Sequence, residues 1–210
     1  MFVKSVMVKR EKCIKISPED LVKTGMELLE KHHVDALPVV EGNTYKGIFT
    51  WYHAYRAYFE SGKSKEDFLT VARAGDIIVN GNVSLGVDAV YEEALLKLND
   101  FPIIAVTAGE EFLGIVTRFD VMNQLQSAFG YKRKGIRISI TSAETEGQIG
   151  KLAEVIDKYR ESVISLVTFD ETDKLIRRIV LKIEKKNNAD KFLKELGKAG
   201  FRVLDITEEE

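Results

Sequence analysis

The sequence contains one cysteine, three prolines, one tryptophan and three histidines in 210 residues. A single cysteine excludes an internal disulfide and any metal site built from several thiolates. Apolar runs are short, as in Ala36-Leu37-Pro38-Val39-Val40, and none approaches the ~20 residues that span a bilayer. The start, Met1-Phe2-Val3-Lys4-Ser5, has no basic region leading into an apolar core, so no signal peptide is expected. Nor does one charge dominate: 31 Lys and Arg face 33 Asp and Glu, a net charge of −2. That balance gives no general attraction to nucleic acid or to acidic membranes. The common catalytic signatures are missing as well: no Gly-x-Ser-x-Gly elbow, P-loop or His-Glu-x-x-His is present. The chain therefore reads as a cytoplasmic, multidomain, non-enzymatic protein that requires no cofactor or metal. Its 45 % apolar and 30 % charged residues are those of a folded chain.

What is present is a repeat. Ala36-Leu37-Pro38-Val39-Val40 precedes Tyr45-Lys46-Gly47-Ile48-Phe49-Thr50, and Asp100-Phe101-Pro102-Ile103-Ile104 precedes Phe112-Leu113-Gly114-Ile115-Val116-Thr117. Each copy predicts a buried strand after Pro, a polar turn, and a second strand ending in Gly-Ile-x-Thr. Helical patterns follow over Trp51 to Glu60 and Phe119 to Phe129. An earlier helix carries start signals at Ser17 (N-cap), Pro18 and Asp20, and Cys13 to Ile16 alternates as a strand with an inert thiol. Each copy is thus a strand–helix–strand–strand–helix unit of about 60 residues, with the two packed around a pseudo-twofold axis.

These residues resemble a tandem pair of cystathionine-β-synthase (CBS) domains, over residues 1–62 and 63–130. Gly114-Ile115-Val116-Thr117-Arg118-Phe119-Asp120 carries the family motif intact, whereas Gly47-Ile48-Phe49-Thr50-Trp51-Tyr52-His53 has His53 in place of Asp. The resemblance implies a regulatory adenosine-containing ligand, such as AMP, ADP, ATP or S-adenosylmethionine. Asp120 would accept the ribose hydroxyls, with Thr117 as a hydroxyl partner and Arg118 as a charge for phosphate. Ile14, Val34, Asp35, Pro38 and Ile115 would hold the adenine, or, read from the residues alone, Val34 and Ile14 in particular would simply be core. The same Thr117 and Asp120 would also serve simply as an N-cap and a first-turn charge. The mirror site is expected to be impaired, because an imidazole does not accept two hydroxyls as a carboxylate does. Its purine slot is also expected to lack a wall: Pro18 and Pro38 are 20 residues apart, but Asp88 and Pro102 only 14. His32 and His33, adjacent at a helix end, read as a solvated terminus. The aromatic stripe Trp51, Tyr52, Tyr55, Tyr58 and Phe59 reads as a subunit interface.

The basic stretch Tyr131-Lys132-Arg133-Lys134-Gly135 marks a boundary. Beyond it, the periodicities predict βαββαβ, the split-βαβ order of ferredoxin-like domains. A polar turn is expected at Asp170-Glu171-Thr172-Asp173, a helix end at Gly200, and a solvated tail at Glu208-Glu209-Glu210. The fold class is therefore α/β (α+β): two CBS units plus a ferredoxin-like domain over 131–210. Glu144-Thr145-Glu146-Gly147-Gln148-Ile149 is similar to the ACT-domain signature, which implies an amino-acid ligand or a dimerising role. The order CBS–CBS–ACT resembles the acetoin-utilisation family of small regulatory proteins, so a homodimer and a partner enzyme are further expectations. The charge balance persists within each part, 17 Lys and Arg against 18 Asp and Glu before residue 136 and 14 against 15 after it. Any phosphate would therefore be held by a local site rather than by a basic surface.

Overall fold

The computed structural model describes residues 2–143, 145–171, 176–186 and 189–209. Two compact units divide the chain, Met1–Met122 and Asn123–Glu210, so the division falls within one helix, upstream of the basic stretch at 131–135. No helix among the described residues is long and apolar enough to cross a membrane.

In unit 1 the repeat is written into one sheet. Strands β2 (Ala36–Glu41) and β3 (Thr44–Thr50) form one antiparallel hairpin, and β5 (Ile103–Ala108) and β6 (Glu111–Thr117) the other. The hairpins meet at equivalent residues: Thr44 pairs with Glu111, and the rings of Tyr45 and Phe112 stack at 6.2 Å. The short β4 (Ser84–Gly86) runs parallel to β5, and β1 (Val8–Lys9) pairs with β6. Both sheet faces are covered, which explains the unbroken apolar runs. Leu37 and Val39 of β2 enter a core with Val22, Leu29 and Phe49, while the alternating Ala36 and Val40 enter a second core with Ile48, Phe112 and Ile115.

The glycine of each Gly-Ile-x-Thr segment is explained by what crosses it. A Cβ on Gly114 would lie 2.2 Å from the Val8 carbonyl oxygen, and one on Gly47 would lie 2.7 Å from that of Val79. Val79 bridges Ile48 in copy one, as Val8 pairs with its counterpart Ile115 in copy two. Helix α2 (Trp51–Ser61) leaves β3 directly, with Thr50 as its N-cap, and α5 (Arg118–Ala128) leaves β6 in the same way. Between them lie α3 (Lys65–Val71), capped by Ser64, and α4 (Tyr91–Lys97).

Two local expectations are corrected. Helix α1 spans Val22–His32, and its N-cap is Leu21 rather than Ser17. Ser17 and Asp20 instead close a turn, with the Ser17 N–H donating to Asp20 Oδ2 at 2.8 Å. The chain then bridges Arg73 through Leu21 before turning helical, and the Val22 N–H is taken by the Ala72 carbonyl. Residues 13–16 form no strand; only Ile16 makes a parallel bridge, to Val39. Cys13 is half-buried, and burial pushes its thiol up to about 11, which keeps it protonated and unreactive at neutral pH.

Unit 2 follows the predicted order: β7 (Gly135–Ala143), α6 (Gln148–Lys158), β8 (Val163–Glu171), β9 (Ile176–Ile183), α7 (Ala189–Lys198) and β10 (Arg202–Glu209). Its antiparallel sheet has the order β10-β7-β9-β8. Ile138, Ile140, Ile179 and Leu181 meet Leu152 of α6 and Phe192 and Leu196 of α7 in one core. Gly200 ends α7 at φ 93°, as a helix-terminating glycine should. Asp170 and Glu171 continue β8, while Thr172, Asp173 and Glu144 lie outside the described residues. Glu208 and Glu209 are an edge-strand end rather than a tail, because β10 pairs with β7 through Glu209; Glu210 lies outside the described residues.

On the other sheet face Lys182 is 2 % exposed and donates to the Gly130 carbonyl at 3.0 Å. Ser165 Oγ donates to Phe129 O at 3.1 Å, and the Phe129 ring stacks on Phe169. These contacts tie the end of the α5 segment into unit 2. Among the described residues, two buried side chains lack hydrogen-bond partners, Ser142 at Oγ and Glu161 at both carboxylate oxygens; the Glu161 side chain is fully buried, with Lys186 Nζ 3.7 Å from Oε2.

Two stability outcomes follow. Gly114→Ala is expected to lower stability by ~2 kcal/mol or more, because the clash is with backbone, whereas Gly86→Ala, with open space around it, should stay within about 0.5 kcal/mol; urea unfolding compares the two. Glu161→Leu is expected to raise the urea midpoint, by about 1 kcal/mol of stability, since it removes a buried carboxylate that lacks hydrogen bonds.

Candidate functional site

Where β6 gives way to α5, Thr117 and Asp120 lock the helix start. Asp120 Oδ2 accepts from the Thr117 N–H at 2.9 Å and from Thr117 Oγ1 at 2.7 Å, and the Asp120 N–H donates to Thr117 Oγ1 at 3.1 Å. This is the capping reading of the two residues, present in full. All three bonds use Oδ2 or Oγ1, so the Oδ1 edge of the carboxylate remains as an acceptor.

The pair lines a cleft of about 500 Å³, where it meets the residues that follow α1. Of the expected site residues, the cleft brings together Val34, Asp35, Ile115, Thr117, Arg118 and Asp120. Two others are not among its walls. Pro38 is buried in β2 opposite Ile48, and Ile14 packs against the core of the first repeat. Both serve packing, because the cleft opens beyond the end of β2, at Val34 to Ala36.

Arg118 is placed by its own bonds. Its Nε donates to Leu98 O at 2.8 Å and its Nη2 to Asn99 O at 3.2 Å. It therefore acts as a cation at the carbonyl end of α4, while its side chain remains part of the cleft wall. Below α5, the Tyr91 hydroxyl donates to the Val121 carbonyl at 2.6 Å. Burial raises the pKa of this phenol, and the Asp120 charge adds to the effect.

The cleft also contains residues that sequence reasoning missed. His33, read as part of a solvated helix end, lines it, as do Val8 and Phe119. His33 adjoins Val34 and Asp35 and is the left-handed residue, at φ 52°, that closes α1. Its position next to the expected adenine contacts was the one available signal. Nothing in the local sequence marks Val8, which arrives from the far end of the repeat by crossing Gly114.

The mirror cleft, on Thr50 and His53, is larger, about 660 Å³. The expected missing wall is a correction: although α4 has 7 residues against 11 in α1, Asp100, Phe101 and Pro102 close that side. Asp35, Pro102 and Arg118 line both clefts. The chemistry at the helix start differs, however. The Thr50 hydroxyl lies 2.8 Å from His53 Nδ1 and accepts the His53 N–H at 3.2 Å. Burial lowers the His53 pKa, and the nearby Arg56 charge lowers it further. A neutral imidazole then stands where the other repeat has an anion.

Three relatives frame this geometry. Over 168 residues the chain is 25 % identical to an inosine-5′-monophosphate dehydrogenase of Korarchaeum cryptofilum, across 78 % of this chain but 33 % of that protein. The chain thus spans about a third of the length of that curated relative. Among solved structures, CBSX2 in complex with AMP has a TM-score of 0.51 at 24 % identity, over 63 % of this chain and 98 % of that one. The Listeria monocytogenes CbpB protein in complex with c-di-AMP also has a TM-score of 0.51, at 19 % identity over 58 % of this chain and 92 % of that one. Both likenesses concern the fold. Residues 3–60 match the family model of the CBS domain, so the chain carries a CBS domain, and over about three fifths of its length it shares the fold of these structures.

Proposed function

We propose that this chain is a non-catalytic regulatory sensor that holds an adenosine-containing ligand in the cleft between its two repeats, residues 1–62 and 63–130. The observation that carries this reading is the Thr117–Asp120 pair facing the 500 Å³ cleft with one carboxylate edge unspent. That edge accepts ribose hydroxyls through charge-assisted bonds, each contributing about 1.5–3 kcal/mol. Val34 and Ile115 offer apolar surface to a purine, and a cleft of this size suits one nucleotide. CBSX2 and CbpB, solved in complex with AMP and c-di-AMP, support the adenine class; AMP, ADP, ATP and S-adenosylmethionine are the candidates. Binding energy that differs between two angles of the repeats would shift the population toward one of them.

Residues 131–210 are proposed as an ACT-type domain, which would place the chain with the acetoin-utilisation family. A cavity of about 330 Å³ beside Thr145, Gly147, Gln148 and Ile149 supports either a second small ligand, such as an amino acid, or a dimer contact. The exposed Tyr52, Tyr55 and Phe59 of α2 support a homodimer, and a cytoplasmic partner enzyme would receive the signal. One observation favours a second reading, a ligand-free interaction module: Asp120 Oδ2 already satisfies its own helix cap.

A thermal-shift series with AMP, ATP, S-adenosylmethionine and c-di-AMP separates the two. A ligand at 100 times its dissociation constant is expected to stabilise by ~2.7 kcal/mol, and a flat response to all four favours the module. Asp120→Asn, which keeps a capping acceptor but removes the charge, is expected to weaken the nucleotide about tenfold or more by calorimetry; unchanged affinity would remove Asp120 from the site. Conversely, His53→Asp is expected to raise the stoichiometry from one nucleotide per chain to two, because it supplies the missing ribose acceptor in the larger cleft.

A further inference from the structure

We propose that His33 is the residue through which the Asp120 cleft recognises phosphate, so that this site selects a nucleoside phosphate over the bare nucleoside. The inference rests on the nucleotide reading above and specifies how that site discriminates. Two basic side chains line the cleft, Arg118 and His33. Arg118 carries the motif position that suggests a phosphate partner, but two of its five N–H donors are spent on the carbonyls of Leu98 and Asn99, which holds the guanidinium at the end of α4. Two carboxylates, Asp35 and Asp120, share the cleft, and a phosphate entering between them needs a local donor. His33 is exposed and can donate an N–H as imidazole or as imidazolium.

The backbone supplies an independent observation. His33 sits at φ 52°, ψ 46°, in the left-handed position that closes α1. The closure is made by main chain alone: the His33 N–H donates to Glu30 O and the Val34 N–H to Leu29 O. Glycine is the usual occupant of such a position, and a side chain held there at a conformational cost points to a use for that side chain. The imidazole takes no part in closing the helix. The residue is therefore dispensable for the turn but well placed for an anion in the adjacent cleft.

The test is calorimetry on the full chain with AMP and adenosine, for the wild type and His33→Gly. The wild type is expected to prefer AMP by about tenfold or more, the range of one charge-assisted bond. In His33→Gly that preference should fall to within about twofold, with adenosine affinity unchanged and the unliganded melting temperature held or raised, since glycine suits the turn. A His33 that served only the fold would shift both ligands alike and lower the melting temperature. Retention of the AMP preference in His33→Gly overturns the proposal, as does a wild type that binds AMP and adenosine equally; either result leaves the nucleotide reading standing. Failure of the wild type to bind either compound overturns both.

Discussion

The site depends on how closely two chain segments pass, each over one glycine. Val8 and Val79 cross Gly114 and Gly47 at a separation that leaves no room for a Cβ. Each crossing strand seals one flank of a hairpin, and the hairpins then meet at Thr44 and Glu111 with Tyr45 stacked on Phe112. A side chain at either glycine would push the crossing segment away and open the sheet edge where its cleft begins. The buried Tyr45 shows how dry that centre is: burial alone holds its phenol well above the usual range. The strand ends at Thr50 and Thr117 are fixed by this packing, so the two helix starts are presented at equivalent places.

Near-symmetric scaffolding then carries unequal chemistry. Both helix starts use a threonine as cap and both open on clefts of nucleotide size, yet one offers a carboxylate and the other a neutral imidazole. The difference lies in one atom set rather than in cavity volume, since the cleft without the carboxylate is the larger. A ribose diol calls for an anionic acceptor, so on the proposed reading selectivity between the clefts would be electrostatic. Of the three wall residues common to both, Asp35, Pro102 and Arg118, Arg118 is a structural cation first, bonded to the carbonyls of Leu98 and Asn99. Its commitment to the end of α4 limits what it can give to a ligand on either side.

Unit 2 is organised by a different economy of charge. Its helix-facing core is entirely apolar, while the opposite face buries Lys182 against the carbonyl of Gly130. Gly130 is itself confined, at φ 66° and with Ile164 where a Cβ would go. A buried ammonium is tolerated because it donates to the Gly130 carbonyl just beyond the end of α5. Glu161 lacks that compensation, and the contrast separates a buried charge that organises the chain from one that burdens it.

Periodicity and the internal repeat were enough to read two strand–helix units and a βαββαβ order, because apolar spacing is a local consequence of which face is buried. The Thr-Arg-Phe-Asp segment was legible for the same reason: strand end, cap and first turn lie within four residues. The helix start at Ser17 was misread because a bridge from Leu21 to Arg73, 52 residues away in the sequence, claims the backbone that Ser17 would have capped. Ile14 packs against the core, Pro38 is buried within β2, and Phe101 walls a cleft expected to be open, because cleft boundaries are set by where separate segments stop packing. His33 shows the division most clearly. The sequence determined that it ends a helix beside Val34 and Asp35. Only the tertiary structure brought that helix end to the same cleft as Asp120, across 86 intervening residues whose packing no local pattern encodes.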